Sequence, residues 1–349
     1  MQKDLKSMTI NEVAALTAAR GYKKFHAGYI FDFVHKKQVC DIADITTLPK
    51  PMRQDLIEQG YYISSLRVEK KLRDRDGTVK YLFALEDGLT IESVLISEQG
   101  RRTLCISTQV GCAMGCAFCA TAKLKIQRNL TAGEIVDQLY KVEQDSPAVT
   151  NVVYMGMGEA MLNYDAVMSS VRILNDSKGR NLGARRITIS TCGIIPCIKR
   201  LGDEDIQPRL AVSLNAPTGQ LRGKVMPVNK KHPLRELMQA VKAYQNKTGN
   251  RVTFEYVMIK DFNETTAHAE MLAKLIKGIK CNVNLIEYNP HPGCHMRPAE
   301  RKSIERFAKL LTDKGIETTV RLKKGSGIKA ACGQLGAEML INKTPPSEQ

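Results

Sequence analysis

Three cysteines stand close together in the run Gly111-Cys112-Ala113-Met114-Gly115-Cys116-Ala117-Phe118-Cys119. The spacing Cys-x3-Cys-x2-Cys follows a short apolar strand pattern, so the three thiolates can converge on one cluster held in a loop. A structural 4Fe-4S site fills all four irons with cysteine. Three protein ligands leave one iron open to something that is not protein. Zinc asks for four ligands, usually as two separated Cys/His pairs. No second pair of that spacing follows, although Cys105 offers a fourth sulfur. The spacing therefore favours an iron-sulfur cluster over zinc. A further cysteine, Cys332, lies late in the chain in Gly327-Ile328-Lys329-Ala330-Ala331-Cys332-Gly333-Gln334-Leu335. Taken alone, a cysteine among small residues reads as inert packing.

The elements that must position these groups follow from periodicity. Thr9-Ile10-Asn11-Glu12 is a capping box that opens one helix, and helical patterns follow at Phe25–Lys37 and Leu48–Glu58. Tyr61–Arg73 and Thr78–Ser97 read as β, divided by the turn-former Arg75-Asp76-Gly77. Beyond Leu104 the chain alternates. Strands are expected near Leu104–Ser107, Val152–Tyr154, Arg186–Ser190, Arg209–Leu214, Thr253–Met258, Val283–Ile286 and Thr318–Arg321. Helices are expected at Thr131–Val142, Tyr164–Asn175, Leu234–Gln245, Thr265–Lys277 and Pro298–Lys314. Repeated β-then-α units imply an α/β fold with a parallel sheet, here a full or partial (β/α) barrel, and the site then lies at the C-terminal strand ends. The expected layout is a helical N-terminal accessory module (1–60), a β-hairpin extension (61–100), the barrel domain (101–342) and a disordered tail (343–349).

At those strand ends stand Met155-Gly156-Met157-Gly158-Glu159, Ser190-Thr191-Cys192-Gly193, Ser213-Leu214-Asn215 and Asn289. A Gly-rich turn lets backbone approach a ligand closely, and Glu159 adds an anion. Small polar side chains could hold ribose and amino-acid groups, though singly each is more often a cap or an Asx turn.

With 349 residues, 43% of them hydrophobic, the chain can bury a sizeable core. Lys plus Arg outnumber Asp plus Glu by 52 to 36, a formal charge of +16, which points to a polyanionic partner and most plausibly nucleic acid. The polar start Met1-Gln2-Lys3-Asp4-Leu5-Lys6 has no apolar h-region and no run is long enough to span a membrane, so a cytoplasmic protein with no membrane partner is expected. In that compartment cysteines bind metal or catalyse more often than they pair.

Taken together these motifs resemble the radical S-adenosylmethionine (SAM) enzymes and, among them, the adenine methyltransferases of 23S ribosomal RNA with their RlmN and Cfr branches. The likeness covers nearly the whole sequence. It rests on the cysteine loop with Cys105-Ile106-Ser107-Thr108-Gln109-Val110 before it, on Asn129-Leu130-Thr131 with Glu134, and on Gly156-Met157-Gly158-Glu159. It continues through Ile189-Ser190-Thr191, Leu210-Ala211-Val212-Ser213-Leu214, Met226-Pro227-Val228-Asn229, Asn284-Leu285-Ile286 and Ala331-Cys332-Gly333-Gln334-Leu335.

The resemblance implies a partial-barrel radical-SAM core, a 4Fe-4S cluster on Cys112, Cys116 and Cys119, and two SAM molecules per turnover. SAM contacts fall to Gly158, Glu159, Ser190, Ser213, Leu214, Asn215 and Asn289. One SAM would methylate Cys332. A second, chelated by the open iron, would yield a 5'-deoxyadenosyl radical that takes hydrogen from the S-methyl group, and the carbon radical would add to adenine. Glu92 would then remove the ring proton, and Cys105 would release the product by forming a disulfide with Cys332. Without the resemblance Cys105 reads as a buried strand residue and Glu92 as a solvent-facing one. The implied partners are 23S ribosomal RNA, with tRNA as a second candidate, and an external electron donor such as flavodoxin. The chain is expected to act as a monomer.

Three departures leave C2 against C8 methylation open: Ala160 after Glu159, Asn215 where His is usual, and no paired acids before Cys332. The run from Leu210 to Asn229 favours C2. Two other readings stand beside this one: a radical-SAM enzyme acting on a peptide or metabolite, which has no need of Cys105 and Cys332, and a non-catalytic metal-stabilised RNA-binding protein. Cys40, Cys192, Cys197, Cys281 and Cys294 read as packing, and His291 and His295 as parts of a loop near substrate.

Overall fold

The computed structural model describes residues 3–291, 293–321 and 323–341; the expected tail lies outside them. A ten-stranded sheet organises the molecule. Strands β1 (Arg67–Arg73), β2 (Val79–Ala84) and β3 (Thr90–Glu98) form an antiparallel flank. Seven parallel strands complete the sheet: β4 (Arg101–Cys105), β5 (Asn151–Tyr154), β6 (Ile187–Thr191), β7 (Arg209–Ser213), β8 (Val252–Met258), β9 (Cys281–Glu287) and β10 (Glu317–Arg321). Spatial order follows chain order throughout. The seven expected strands all form.

Two features differ from expectation. The stretch Thr78–Ser97 is two strands, because Asp87-Gly88 makes a second turn with Gly88 at φ +79°. The hairpin is also no separate bridge: β3 pairs with β4 and continues the barrel sheet.

Among the described residues eleven helices accompany the sheet: α1 (Ile10–Ala19), α2 (Phe25–His35), α3 (Lys50–Glu58), α4 (Ala132–Glu143), α5 (Tyr164–Asn175), α6 (Ile195–Leu201), α7 (Gly219–Val225), α8 (Leu234–Thr248), α9 (Thr266–Leu275), α10 (Arg301–Asp313) and α11 (Ala337–Ile341). The capping box expected at Thr9 closes, and a second closes at Thr131, each hydroxyl accepting from the N3 backbone while the N3 glutamate accepts from the N-cap backbone. Helices α6 and α7, one or two turns each, have no counterpart in the periodicity analysis.

Alternation along the strands divides the two faces. Val152, Tyr154, Ile187, Ile189, Leu210, Val212, Val252, Phe254, Tyr256, Val283 and Leu285 are buried. Tyr154 Oη lies 2.7 Å from Ser170 Oγ on α5, and the Tyr256 ring packs on Phe307 of α10, so this is the helix-covered face. The opposite face carries Thr188, Ser190, Arg209, Ser213, Thr253, Glu255, Asn282 and Asn284 and is concave. Arg321 on β10 lowers the pKa of Cys105 on β4, although six strand spacings, roughly 29 Å in a flat sheet, separate the two strands. Only a strongly curled sheet brings them within electrostatic reach. The β1–β2 turn also reaches the segment after β10, where the Gly325 N–H donates to Asp76 Oδ2 (2.9 Å) and the Gly327 N–H to Asp74 Oδ2 (3.0 Å).

The N-terminal helices dock on α4. Lys6 Nζ meets Asp137 Oδ1 at 2.6 Å with both side chains buried, and the Leu66 N–H takes the other carboxylate oxygen at 2.7 Å. Nearby, His35 Nδ1 lies 3.0 Å from Tyr140 Oη. Burial, with the Lys6 cation adding to it, pushes His35 down to about 3. The unfolded chain therefore binds this proton first. Stability is complete above about pH 6.5 and falls as the pH drops from there towards about 3. The variant His35→Gln keeps a partner for Tyr140 but not the titration. Calorimetry from about pH 6.5 to about pH 5 should show wild type losing roughly 1.5 kcal/mol more than the variant over that span.

Candidate active site

The cysteine loop follows β4 and is fixed by its backbone. The Cys112 N–H donates to Leu124 O (3.2 Å), that of Ala117 to Val225 O (2.9 Å) and that of Cys119 to Cys116 O (3.2 Å). All ten cysteines of the chain are free. Burial pushes Cys112 up to about 12, with Cys119 and Glu159 adding to the rise, and burial likewise raises Cys116, helped by Cys119 and Cys112. The three thiols of the loop thus lie close enough to act on one another. Each keeps some access to solvent.

Across this loop runs the segment that carries Cys332. Gly333 O accepts from the Ala120 N–H (2.7 Å), Leu335 O from Thr121 Oγ1 (2.7 Å) and Cys332 O from Asn289 Nδ2 (3.2 Å), while Gln334 Nε2 donates to Pro290 O (2.8 Å). Gly333 sits at φ +81°, where a Cβ would stand 3.0 Å from Phe118 O; the strap lies this close only because that residue is glycine. Cys332 is exposed, yet surrounding protein desolvates its thiol and raises its pKa, with Arg321 opposing and Glu255 adding to the rise. Accessible and desolvated together describe a group inside a concavity. Cys105 shares the space: burial raises its pKa and the Cys332 thiolate raises it further.

Glu92, read above as solvent-facing without the resemblance, is 2% exposed. On the concave face it pairs with Lys80 Nζ of β2 (3.1 Å) and accepts from the Gly336 N–H of the strap (2.7 Å). Register sets Val94 opposite Cys105, which makes Glu92 and Cys105 diagonal neighbours on one face.

The strand-end residues are less uniform. Gly158, at φ +99°, lies where a Cβ would stand 2.6 Å from Gln109 Cβ. Glu159 is buried and already accepts from the backbone of Met161 (3.1 Å) and Cys192 (2.8 Å); burial raises its pKa against those hydrogen bonds. Asn215, also left-handed, spends its side chain between the Val257 N–H (2.9 Å) and Met226 Sδ (3.4 Å), and Leu214 is fully buried. Ser190 and Ser213 are half-buried on the concave face. Asn289 Oδ1 is buried with no hydrogen-bond partner among the described residues, and so is Glu255 Oε2.

A family model described as the Radical SAM superfamily matches residues 106–276. A probable dual-specificity RNA methyltransferase RlmN of Dictyoglomus thermophilum is 45% identical over 97% of each chain. The dual-specificity RNA methyltransferase RlmN of Geotalea uraniireducens is 44% identical over 95% of this chain and 96% of its own. This chain belongs to the RlmN family of the radical SAM superfamily. Among solved structures, a radical SAM methyltransferase from Sphaerobacter thermophilus superposes with a TM-score of 0.89 at 43% identity, covering 96% of this chain and 99% of that one. The chain is accordingly a SAM-dependent methyltransferase with a radical-SAM fold, and the non-catalytic reading is set aside.

Family membership implies a 4Fe-4S cluster and SAM, and the residues present fit both. Three free thiols share one loop inside the concavity, and two buried polar oxygens, Asn289 Oδ1 and Glu255 Oε2, have no partner among the described residues. Among the described residues no trio of His, Cys, Asp or Glu is disposed to hold a single metal ion, His291 and His295 included. The RlmN-family chain also uses residues that sequence reasoning missed. Arg222 of α7 is fully buried, donates to the carbonyls of Leu214, Ser213 and Cys192, and acts electrostatically to lower the pKa of Cys116. A buried cation there offsets the charge that thiolates bring. Glu255, Arg321 and Lys80 were missed as well. Each sits in a strand whose polar face reads as solvent until the sheet curls. Cys197 and Cys294 satisfy their thiols on the carbonyls of Met161 (3.2 Å) and Ala117 (3.4 Å). No helix among the described residues is long and apolar enough to cross a membrane.

Proposed function

We propose that this enzyme methylates C2 of adenine in 23S ribosomal RNA, with tRNA as a second substrate, through a methylated Cys332 and a covalent link between RNA and protein. The observation that carries the reading is the strap: Gly333 O on the Ala120 N–H, next to Cys119, sets Cys332 over the cysteine loop with Cys105 and Glu92 on the same concave face. An RNA substrate is what the names of the relatives say of those proteins, and the charge of +16 suits one. Arg101, Arg209 and Arg321 face the concavity; burial together with Arg321 and Arg209 lowers the pKa of Arg101, against Glu98. Such a group of cations favours a phosphodiester.

When bound through Cys112, Cys116 and Cys119, the cluster and SAM supply the methyl group and the one-electron chemistry that an unreactive amidine carbon demands. The chain's residues supply the rest. Cys332 holds the one-carbon unit as a thioether and presents it to the ring. Glu92 takes the ring proton, and the single electron that the adduct must also lose would go to the cluster that Cys112, Cys116 and Cys119 would hold. Cys105 attacks Cys332 sulfur, a disulfide forms, and the bonding pair of the broken carbon–sulfur bond stays with the carbon, which gains a proton and leaves as the methyl group. The RlmN-like run from Leu210 to Asn229 favours C2 over C8. Mass spectrometry of rRNA and tRNA nucleosides, after anaerobic incubation with SAM and a reductant, should find 2-methyladenosine in both; 8-methyladenosine would reassign the carbon, and no methylated adenosine would overturn the proposal.

A further inference from the structure

The mechanism above leaves the cation of one buried ion pair unused. Lys80 and Glu92 sit on neighbouring strands with their side chains 3% and 2% exposed and 3.1 Å apart. Lys80 Nζ also lies 3.6 Å from Glu338 Oε1 at the start of α11, and Glu92 Oε2 accepts from the Gly336 N–H two residues earlier. One lysine therefore ties the carboxylate to the β-flank and to the strap. A lysine buried this deeply in a sheet face is costly unless paired, so its presence asks for a reason. Apolar residues of like volume hold a fold at least as well.

We propose that Lys80 is a positioning residue for methyl transfer: it sets a cation against the Glu92 carboxylate inside the concavity and docks it to the Gly336–Glu338 turn, four residues beyond Cys332. The proposal rests on the reading of Glu92 as the base. The ionisable groups around Glu92 are Lys80 on β2, Glu338 on α11 and the Cys105 thiol on β4, and Cys332 lies on the strap bonded to it. Only Lys80 among them is a cation. Glu92 must be a carboxylate before it takes the adenine proton, and becomes a carboxylic acid on doing so. Without the cation a buried carboxylate at neutral pH takes up a proton and cannot accept another.

The test compares wild type with Lys80→Met, Lys80→Arg and Lys80→Met/Glu92→Gln, all with the cluster reconstituted anaerobically. With unmodified 23S ribosomal RNA transcript near neutral pH, Lys80→Met should lose about a hundredfold in methylated adenosine while still gaining the methyl on Cys332, read by intact-protein mass. Product should return as the pH is raised, and Lys80→Arg should restore much of it at neutral pH. A second readout needs no turnover. A buried carboxylate that has lost its cation stabilises the fold only while protonated, so the melting-temperature deficit of Lys80→Met should widen from about pH 5 to about pH 8. In the double variant, which buries no charge, the deficit should be small and flat. A wild-type pH profile for Lys80→Met, or a deficit that does not change with pH, overturns the proposal. If wild type itself makes no methylated RNA, the function proposed above fails, and the part of Lys80 in it fails too, even where the melting curves separate.

Discussion

Replacing Cys332 with alanine should cut methylated adenosine by more than about a thousandfold while leaving the fold in place. The size follows from role: a covalent carrier has no substitute among its neighbours, and losing a nucleophile outright costs more than losing a group that tunes one. The fold should persist because the strap is held through backbone at this point. Asn289 bonds Cys332 O, and Ala120 bonds Gly333 O. Neither uses the thiol. Nucleoside mass spectrometry with matched melting curves checks both halves. A radical-SAM enzyme acting on a peptide or metabolite would have no use for this sulfur, so full activity in Cys332→Ala would move the chain to that chemistry.

Much of this architecture could be read before any coordinates. The inner parallel strands announce themselves because they bury an apolar set on the helix-covered face, as Ile187 and Ile189 do on β6. The capping boxes at Thr9 and Thr131 fix two helix starts to the residue. What escaped was local structure too short to show a period, such as α6 and α7 with seven residues each, and the Asp87-Gly88 turn hidden between two β-rich stretches. The site divides in the same way. Cys112, Cys116 and Cys119 are legible because their ligands are contiguous in sequence. Lys80, Arg222 and Glu255 are not, since a charged residue in an alternating strand or a polar helix reads as solvated. Only the curl of the sheet, which brings β10 within reach of β4, turns those faces inward. The sequence spacing of Glu92, Cys105 and Cys332 says nothing of that closure. Glu92 illustrates the cost: alternation assigned it to water, and the strap covers it.

Cys105→Ala should give the opposite phenotype from Cys332→Ala. Carrier chemistry would proceed, but nothing would attack Cys332 sulfur to free the product. RNA should then remain attached to protein, visible as a slow band on a denaturing gel, with released methyladenosine down by more than about a hundredfold. The double variant with Cys332→Ala should show no such band, which separates a true thioether link from tight binding. The thiol's surroundings add a second expectation. Burial and the neighbouring Cys332 raise the Cys105 pKa, and Arg321 only partly opposes them. Its thiolate is therefore scarce near neutrality and grows about tenfold per pH unit. In single-turnover experiments with wild type, release of methylated RNA should accelerate as the pH rises, until another step limits it. A release rate independent of pH, or a Cys105→Ala enzyme that turns over freely, would mean that some other group resolves the intermediate. Cys192, Cys197 and Cys294 offer no stand-in, because Cys192 is buried and the other two are bonded to carbonyls.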